Sequence, residues 1–238
     1  MLNLYITSTI KGEGKTFISA GIAATMQSLG YRTCVYKPIQ TCGTEKNGFT
    51  QSHDLTYIKA VDPYINTHFT YLFKEDAEPL IAAENENKYI DIDTIIKEYK
   101  RLCATYECTL MDGDRGILSP IAPSLQNADM IKRLQAPVLY LVSPRENAIN
   151  DILNALYIAE IRGIKVNGVV INNIQEGSKN TNLTSLVRLI EEYSNVKVLG
   201  MVPNLGSNVE PDEMITGILN GVDIESVFNV KIEKLEFS

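Results

Sequence analysis

Lys15 and Thr16 follow Gly14 at the junction between a short apolar run and a segment with helical spacing. The run is Leu2-Asn3-Leu4-Tyr5-Ile6, and the helical segment begins at Phe17. Between them lies Thr7-Ser8-Thr9-Ile10-Lys11-Gly12-Glu13-Gly14. Strand, glycine-containing turn, Gly-Lys-Thr and helix is the order that a phosphate-binding loop requires. Glycines let backbone N–H groups curl around a polyphosphate. The helix start adds unpaired N–H groups at the positive end of its dipole. Lys15 brings a point charge to the outer phosphates, and the Thr16 hydroxyl is a candidate ligand for Mg²⁺. The general pattern G-x-x-x-x-G-K-[ST] asks for glycine where this chain has Thr9, while Gly12 and Gly14 remain.

Three further stretches carry chemistry. Residues 33–36 read as a second strand closed by Lys37-Pro38, because proline cannot donate in a central ladder. That puts Lys37 at a strand's C-terminal end, where ligands of open α/β sheets gather. Cys108-Thr109-Leu110-Met111-Asp112 is an apolar strand closed by an acid. Downstream of a phosphate loop, that is the usual place of a second carboxylate on Mg²⁺. Asp54 follows Ser52-His53 at the start of a helical segment and is also a candidate N-terminal cap.

These groups must be held by a scaffold. Helices are expected over 15–29, 52–60, 92–102, 127–134, 147–162 and 181–194, with a short one near Glu78-Pro79-Leu80. Strands are expected over 2–6, 33–36, 108–112, 137–143, 166–172 and 196–202, the last closed by Pro203. Residues 41–51 read as a polar loop and 61–90 as mostly irregular; the tail from 211 has weak helical character. Strands alternating with helices, most of them continuous apolar runs, predict a doubly wound, mostly parallel sheet covered on both faces. No linker or repeat divides the chain, so 1–238 is expected to be one domain.

Composition narrows the function. The net charge is −7, which argues against nucleic acid as the main partner but not against a nucleotide in a local positive pocket. The cysteines, Cys34, Cys42, Cys103 and Cys108, form no C-x-x-C pair, and His53 and His68 are not clustered with them. A metal–thiolate site is therefore not expected, and Cys34 and Cys108 read as core thiols. No apolar run approaches the roughly 20 residues needed to span a bilayer, and no signal-peptide pattern precedes the loop. The expectation is a soluble, cytoplasmic protein without a membrane partner.

Taken together, the order of features resembles the dethiobiotin synthetase family, within the phosphate-loop group that includes the MinD/ParA-like ATPases. The resemblance rests on Gly14-Lys15-Thr16, on Gly30-Tyr31-Arg32-Thr33 followed by Tyr36-Lys37-Pro38-Ile39, and on Ser52-His53-Asp54. It continues in Glu78-Pro79-Leu80-Ile81-Ala82-Ala83, Pro137-Val138-Leu139, Ala148-Ile149-Asn150, Asn172-Asn173 and Pro203. What it implies is ATP-dependent closure of a cyclic urea, a step of biotin biosynthesis. A carbamate formed from 7,8-diaminononanoate and CO₂ attacks the γ-phosphate, and the neighbouring amine closes the mixed anhydride to give dethiobiotin, ADP and phosphate. It implies that Gly12, Glu13, Gly14, Lys15, Thr16 and Phe17 hold the phosphates of ATP, with Asn172 or Asn173 and Pro203 at the adenine end. It implies Mg²⁺ on Thr16, Asp54 and Asp112, and catalytic charges on Lys15 and Lys37. Substrate contacts would come from Lys11, Thr41, Asp112, Arg115 and Asn150, with Asn150 reaching across a homodimer interface.

The chain also departs from that family. Ser8 stands where the family usually has glycine, and Lys11 and Gly12 replace a threonine and an acidic or small polar residue. The family's acid-Gly-Ala-Gly-Gly after the third strand is here Asp112-Gly113-Asp114-Arg115-Gly116. Arg115 could grip a carboxylate or phosphate, or point to solvent. Two other readings stay open: a related ATP-dependent amidoligase with another acceptor, and a nucleotide-driven switch of the MinD/ParA kind. Against the switch, Ile10 rather than Lys11 occupies the place of that group's signature lysine when Gly14-Lys15-Thr16 is aligned.

Overall fold

In the computed structural model the described residues are 1–46, 48–175, 177, 180–206 and 209–232; Asn47, in the expected 41–51 loop, and the charged end from 233 lie outside them. The elements run β1 (Leu2–Ser8), α1 (Lys15–Ser28), β2 (Thr33–Gln40), β3 (Thr44–Lys46), β4 (Phe49–Gln51), α2 (His53–Val61), β5 (Asn66–Leu72), α3 (Pro79–Asn85) and α4 (Ile92–Thr105). Then follow β6 (Cys108–Asp112), β7 (Pro120–Ala122), β8 (Leu125–Gln126), α5 (Asn127–Leu134), β9 (Val138–Val142), α6 (Ala148–Arg162) and β10 (Val166–Ile174). The chain continues through α7 (Asn180–Ser194), β11 (Val198–Pro203), α8 (Pro211–Gly221) and α9 (Ile224–Phe228).

Seven strands form one parallel sheet in the order β11-β10-β9-β1-β6-β2-β5. The central strands are buried along their length, as a parallel sheet covered on both faces demands. Side chains alternate between two cores. Leu4, Ile6, Val35, Leu110 and Leu139 face one core with Ile18, Ile22, Leu55, Met214 and Phe228 from α1, α2, α8 and α9. Tyr5, Tyr36, Met111 and Tyr140 face the other, with Ile95, Leu102, Ile131 and Ile152 from α4, α5 and α6. Helix α8 lies so close to α1 that a Cβ on Gly21 would meet Ile218 at 2.6 Å. The chain leaves β1 for β2 and β5, returns to insert β6 beside β1, and then builds β9, β10 and β11 on β1's other side. The strand order thus reverses at β1, and the crevice beyond its C-terminal end is where such a sheet binds ligands.

Four expectations are corrected. Strand β2 does not close at Lys37-Pro38 but runs to Gln40. Its register with β6 ends at Tyr36, while that with β5 continues to Gln40, so Pro38 falls where the ladder has lost one neighbour and a missing N–H costs little. The 41–51 loop contains the β3–β4 hairpin. The stretch 61–90 contains the edge strand β5. The tail from 211 forms two helices, and Met214, Ile218, Val227 and Phe228 are buried in a core. Cys34 and Cys108 are buried and free, as expected, and burial pushes the Cys34 thiol up to about 12.

Candidate functional site

The loop between β1 and α1 turns on two glycines with left-handed backbone, Gly12 (φ 92°) and Gly14 (φ 82°), the second being the N-cap of α1. A side chain on Gly14 would be strained, and its Cβ would sit 2.3 Å from Asn172 Nδ2. Glu13, placed among the nucleotide-binding residues by its position, turns inward and is almost wholly buried. Its carboxylate accepts from the backbone N–H of Thr9 (2.9 Å), of Ile10 (3.3 Å) and of Ser143 (3.3 Å). The Thr9 hydroxyl and the Arg145 guanidinium complete its surroundings. The first half of the loop is thus shaped around an internal anion. The second half keeps the orphan N–H groups that every helix start has, and such groups suit a phosphate. The side chain of Phe17 packs against the core, which leaves its backbone N–H as its route to a phosphate.

Lys15 is 8% exposed and donates to the Ser8 hydroxyl at 2.9 Å. Burial pushes its ammonium below the usual lysine range, partly offset by Asp112. Ser8 therefore gives the loop lysine a neutral partner rather than an ion pair. Lys37 is treated differently. It is 2% exposed and donates to Asp112 Oδ2 at 2.9 Å, and it also forms an ion pair with Asp54. Burial alone would depress it, but Asp112, then Asp54 and Asp114, outweigh that and hold its ammonium well above the usual range.

Asp54 sits in the first turn of α2, yet the cap of that helix is Ser52, whose Oγ accepts from Leu55 N at 3.0 Å. Capping is therefore done by Ser52, and the Asp54 carboxylate is free for Lys37. Burial raises its pKa, but Lys37 prevails and holds it below the ordinary carboxylate value. At the end of β6, Asp112 accepts from Thr16 Oγ1 at 3.0 Å and from Ser19 Oγ at 3.3 Å. Asp54 and Asp112 thus meet at one ammonium, with the Thr16 hydroxyl bonded to Asp112. They are hard oxygen donors, and two carboxylates with a hydroxyl is the protein share of a Mg²⁺–phosphate site. Among the described residues no three His, Cys, Asp or Glu side chains gather as a metal site. The residues present fit Mg²⁺.

A cleft of about 280 Å³ collects these groups, lined by Lys15, Thr16, Lys37, Thr41, Asp54 and Asp114, with Lys11 at its border. Thr41 is buried and donates to Asp114 Oδ2 at 3.0 Å. Burial holds the Asp114 carboxyl above the usual range, with Lys37 and Thr41 pulling the other way. A second cleft of about 470 Å³ shares Lys11 and is walled by Ile10, Ile117, Leu118, Tyr140 and Ile158, with Arg115 beside them. The Tyr140 hydroxyl is buried and has no hydrogen-bond partner among the described residues. Arg115 neither points to solvent nor stands free: its Nη2 donates to Asp76 Oδ1 (2.9 Å), Ala77 O (2.9 Å) and Thr41 Oγ1 (3.2 Å).

The residues expected at an adenine end lie apart from this charge cluster. Asn172 is buried behind the loop and donates to Glu13 O at 2.9 Å, while its Oδ1 has no partner among the described residues. Asn173, with φ 58°, donates to Ser143 Oγ at 3.1 Å. Pro203 is exposed at the end of β11, paired with Ile174. Asn150 is exposed on the first turn of α6 and lines neither cleft. The sequence reading missed Ser19, Asp76 and Arg145. Arg145 is 132 positions from the Glu13 it faces, and no local pattern marks such a pair.

A parallel sheet reversing at β1, a glycine loop at the start of α1, and a lysine–carboxylate cluster at the strand ends define a phosphate-loop nucleotide-binding protein. Solved structures share that fold. The MinC:MinD cell division protein complex of Aquifex aeolicus matches with a TM-score of 0.58 at 15% identity, over 92% of this chain and 88% of that one. A ParA family ATPase from Chlorobium tepidum matches with a TM-score of 0.55 at 14% identity, over 97% and 94%. Residues 2–212 match a family described as an AAA domain. The ATP-dependent dethiobiotin synthetase BioD of Bacillus subtilis is 26% identical over 96% of this chain and 98% of its own length. That of Methanococcus vannielii is 30% identical over 84% and 92%. The chain belongs to the dethiobiotin synthetase family.

Proposed function

We propose that this chain is an ATP-dependent cyclo-ligase that makes dethiobiotin from 7,8-diaminononanoate and CO₂, working in the cytoplasm as one domain over 1–238. The observation that carries the reading is the meeting of two clefts at Lys11. One is charged and built for phosphates; the other is walled by Ile10, Ile117, Leu118 and Ile158 and suits the aliphatic chain of the acceptor. Tyr140, whose phenol burial pushes up and keeps protonated, offers the acceptor an unsatisfied hydroxyl. At the adenine end Asn172 has its N–H committed to the loop, so its Oδ1 is what it offers a base, with Asn173 and Pro203 beside it.

The chemistry follows from the charges. A carbamate oxygen of the acceptor attacks the γ-phosphorus, and the bond to the ADP oxygen breaks. Lys15 and Lys37 balance the negative charge spread over the phosphoryl group in transit. Both are buried, so they act in a medium where charge is poorly screened. The free amine then attacks the carbamate carbon, phosphate leaves with the former carbamate oxygen, and the amine proton passes to phosphate or solvent. Mg²⁺, when bound by Thr16, Asp54 and Asp112, would supply further charge neutralisation at the phosphate oxygens. Purified protein with Mg²⁺, ATP and bicarbonate should form ADP only when diaminononanoate is added. ADP formation indifferent to the diamine would overturn the reading in favour of another acceptor or a switch.

The same reading includes a homodimer built on α6. Asn150, Tyr157 and Ile161 are exposed along one stripe of that helix, at spacings of seven and four residues. Two large apolar side chains on a helix surface suit a partner, and Asn150 would then reach the partner's acceptor cleft. Tyr157→Asp with Ile161→Asp should give a monomer by analytical ultracentrifugation, with turnover lost and ATP binding kept. A dimer that survives both changes would move the interface elsewhere.

A further inference from the structure

Asp76 lies between β5 and α3, far in sequence from the loop that builds the phosphate cleft. Its carboxylate nevertheless accepts two bonds from Lys11 Nζ, at 2.7 and 2.8 Å, and one from Arg115 Nη2 at 2.9 Å. Lys11 belongs to the phosphate loop and borders both clefts; Arg115 follows β6 and borders the apolar one. Arg115 also bonds Thr41, which lies in the phosphate cleft, and has Glu78 at 3.8 Å and Asp114 at 3.7 Å. A planar anion therefore sits between two cations at the junction of the clefts. That junction is where an acceptor with its chain in the apolar cleft must present its reactive anion to the γ-phosphate.

We infer that Lys11 and Arg115 form a clamp for the acceptor's carbamate, and that Asp76 is an internal carboxylate holding that place until the acceptor displaces it. The inference rests on the ligase reading above and adds to it the group that fixes the carbamate and the group that competes with it. A carbamate and an aspartate carboxylate present the same planar pair of oxygens, so a lysine and a guanidinium that hold one can hold the other. The exchange is easy on the side that must open. Asp76 and Lys11 are half-exposed, and ion pairs in that setting are weak and screened. Arg115 is much less exposed and is tied by Ala77 O and Thr41, so it stays in place when Asp76 leaves. The clamp answers the departure noted in the sequence: where the family pattern has a threonine and a small residue, this chain has two cations.

An internal competitor lowers apparent affinity by the fraction of molecules whose site is open. Asp76→Asn removes the competing charge while keeping size and some hydrogen bonding. At saturating ATP and bicarbonate it should lower the KM for diaminononanoate by about 3- to 10-fold, with kcat and the Kd for ATP unchanged. Arg115→Gly should raise that KM by about 10-fold or more, and Arg115→Lys should recover part of the loss. A strap whose only role is structural gives the opposite sign for Asp76→Asn, because loosening the junction weakens acceptor binding. An unchanged or raised KM in Asp76→Asn overturns the clamp while leaving the ligase reading intact, provided that the wild-type chain turns over the diamine. A change in ATP affinity in place of acceptor KM assigns Lys11 and Arg115 to the nucleotide and also overturns it. Failure of the wild-type chain to use the diamine removes the ligase reading and the clamp with it.

Discussion

Replacing Lys37 with methionine lowers turnover by about a thousandfold, as loss of a preorganised charge at a developing anion does, while ATP still binds. The same change lowers the melting temperature. Lys37 is enclosed, and its ammonium pairs with both Asp112 and Asp54, holding the Asp54 carboxyl below its ordinary value. Removing one partner of a buried ion pair costs about 3–5 kcal/mol, because the remaining charge has lost its compensation. For a chain of this length that corresponds to a fall of about 10 °C. Nucleotide affinity is spared because the phosphates are held mainly by the loop backbone and Lys15. Lys37→Arg keeps the charge, so it recovers part of the stability; a guanidinium cannot take the place of a compact ammonium between two carboxylates, so turnover stays low. Thermal melting, ATP binding and turnover measured on the same samples separate these effects. Loss of ATP binding equal to the loss of turnover would make Lys37 a ground-state nucleotide ligand and contradict its role at the phosphoryl group in transit.

Lys15→Met gives the complementary pattern. Lys15 is nearly as buried, but its ammonium bonds the Ser8 hydroxyl and pays part of its desolvation uncompensated, which is why its pKa is low. An apolar side chain of similar length removes that cost, so the melting temperature should hold or rise slightly. ATP affinity should fall by about 10- to 100-fold, the range of charge-assisted hydrogen bonds, and turnover should fall further. The two lysines thus separate: loss of Lys37 destabilises and inactivates, whereas loss of Lys15 only inactivates. A melting temperature that drops as far in Lys15→Met as in Lys37→Met would mean that Lys15 is part of the fold's ion-pair network.

The sequence made part of this legible for physical reasons that can be named. Strands β1, β6 and β9 are continuous apolar runs because both faces of the sheet are covered, and β6 ends in an acid because the crevice begins there. The phosphate loop and its helix are local in sequence, so residue types and spacing identify them. Strand β5 is hidden in the sequence because it is an edge strand with Asn66 exposed and Thr67, His68 and Thr70 only partly buried, and no apolar run or clean alternation marks it. Helix α8 looked weak in isolation because its stability comes from packing on α1 rather than from its own pattern. In sequence Asp54 reads as either cap or ligand, because the capping oxygen of α2 belongs to Ser52 two positions earlier. The Lys11–Asp76–Arg115 junction joins residues 65 and 39 positions apart, and no local signal could have paired them.

The reaction supplied with bicarbonate carrying ¹⁸O, unlabelled ATP, Mg²⁺ and 7,8-diaminononanoate tests the site most directly, with phosphate and organic product both read by mass spectrometry. Attack of a carbamate oxygen on the γ-phosphorus, followed by ring closure, moves one ¹⁸O into each phosphate and gives dethiobiotin in equal amount to ADP. Phosphate without ¹⁸O, or labelled phosphate without dethiobiotin, would contradict a carbamate held between Lys15, Lys37 and the Lys11–Arg115 pair.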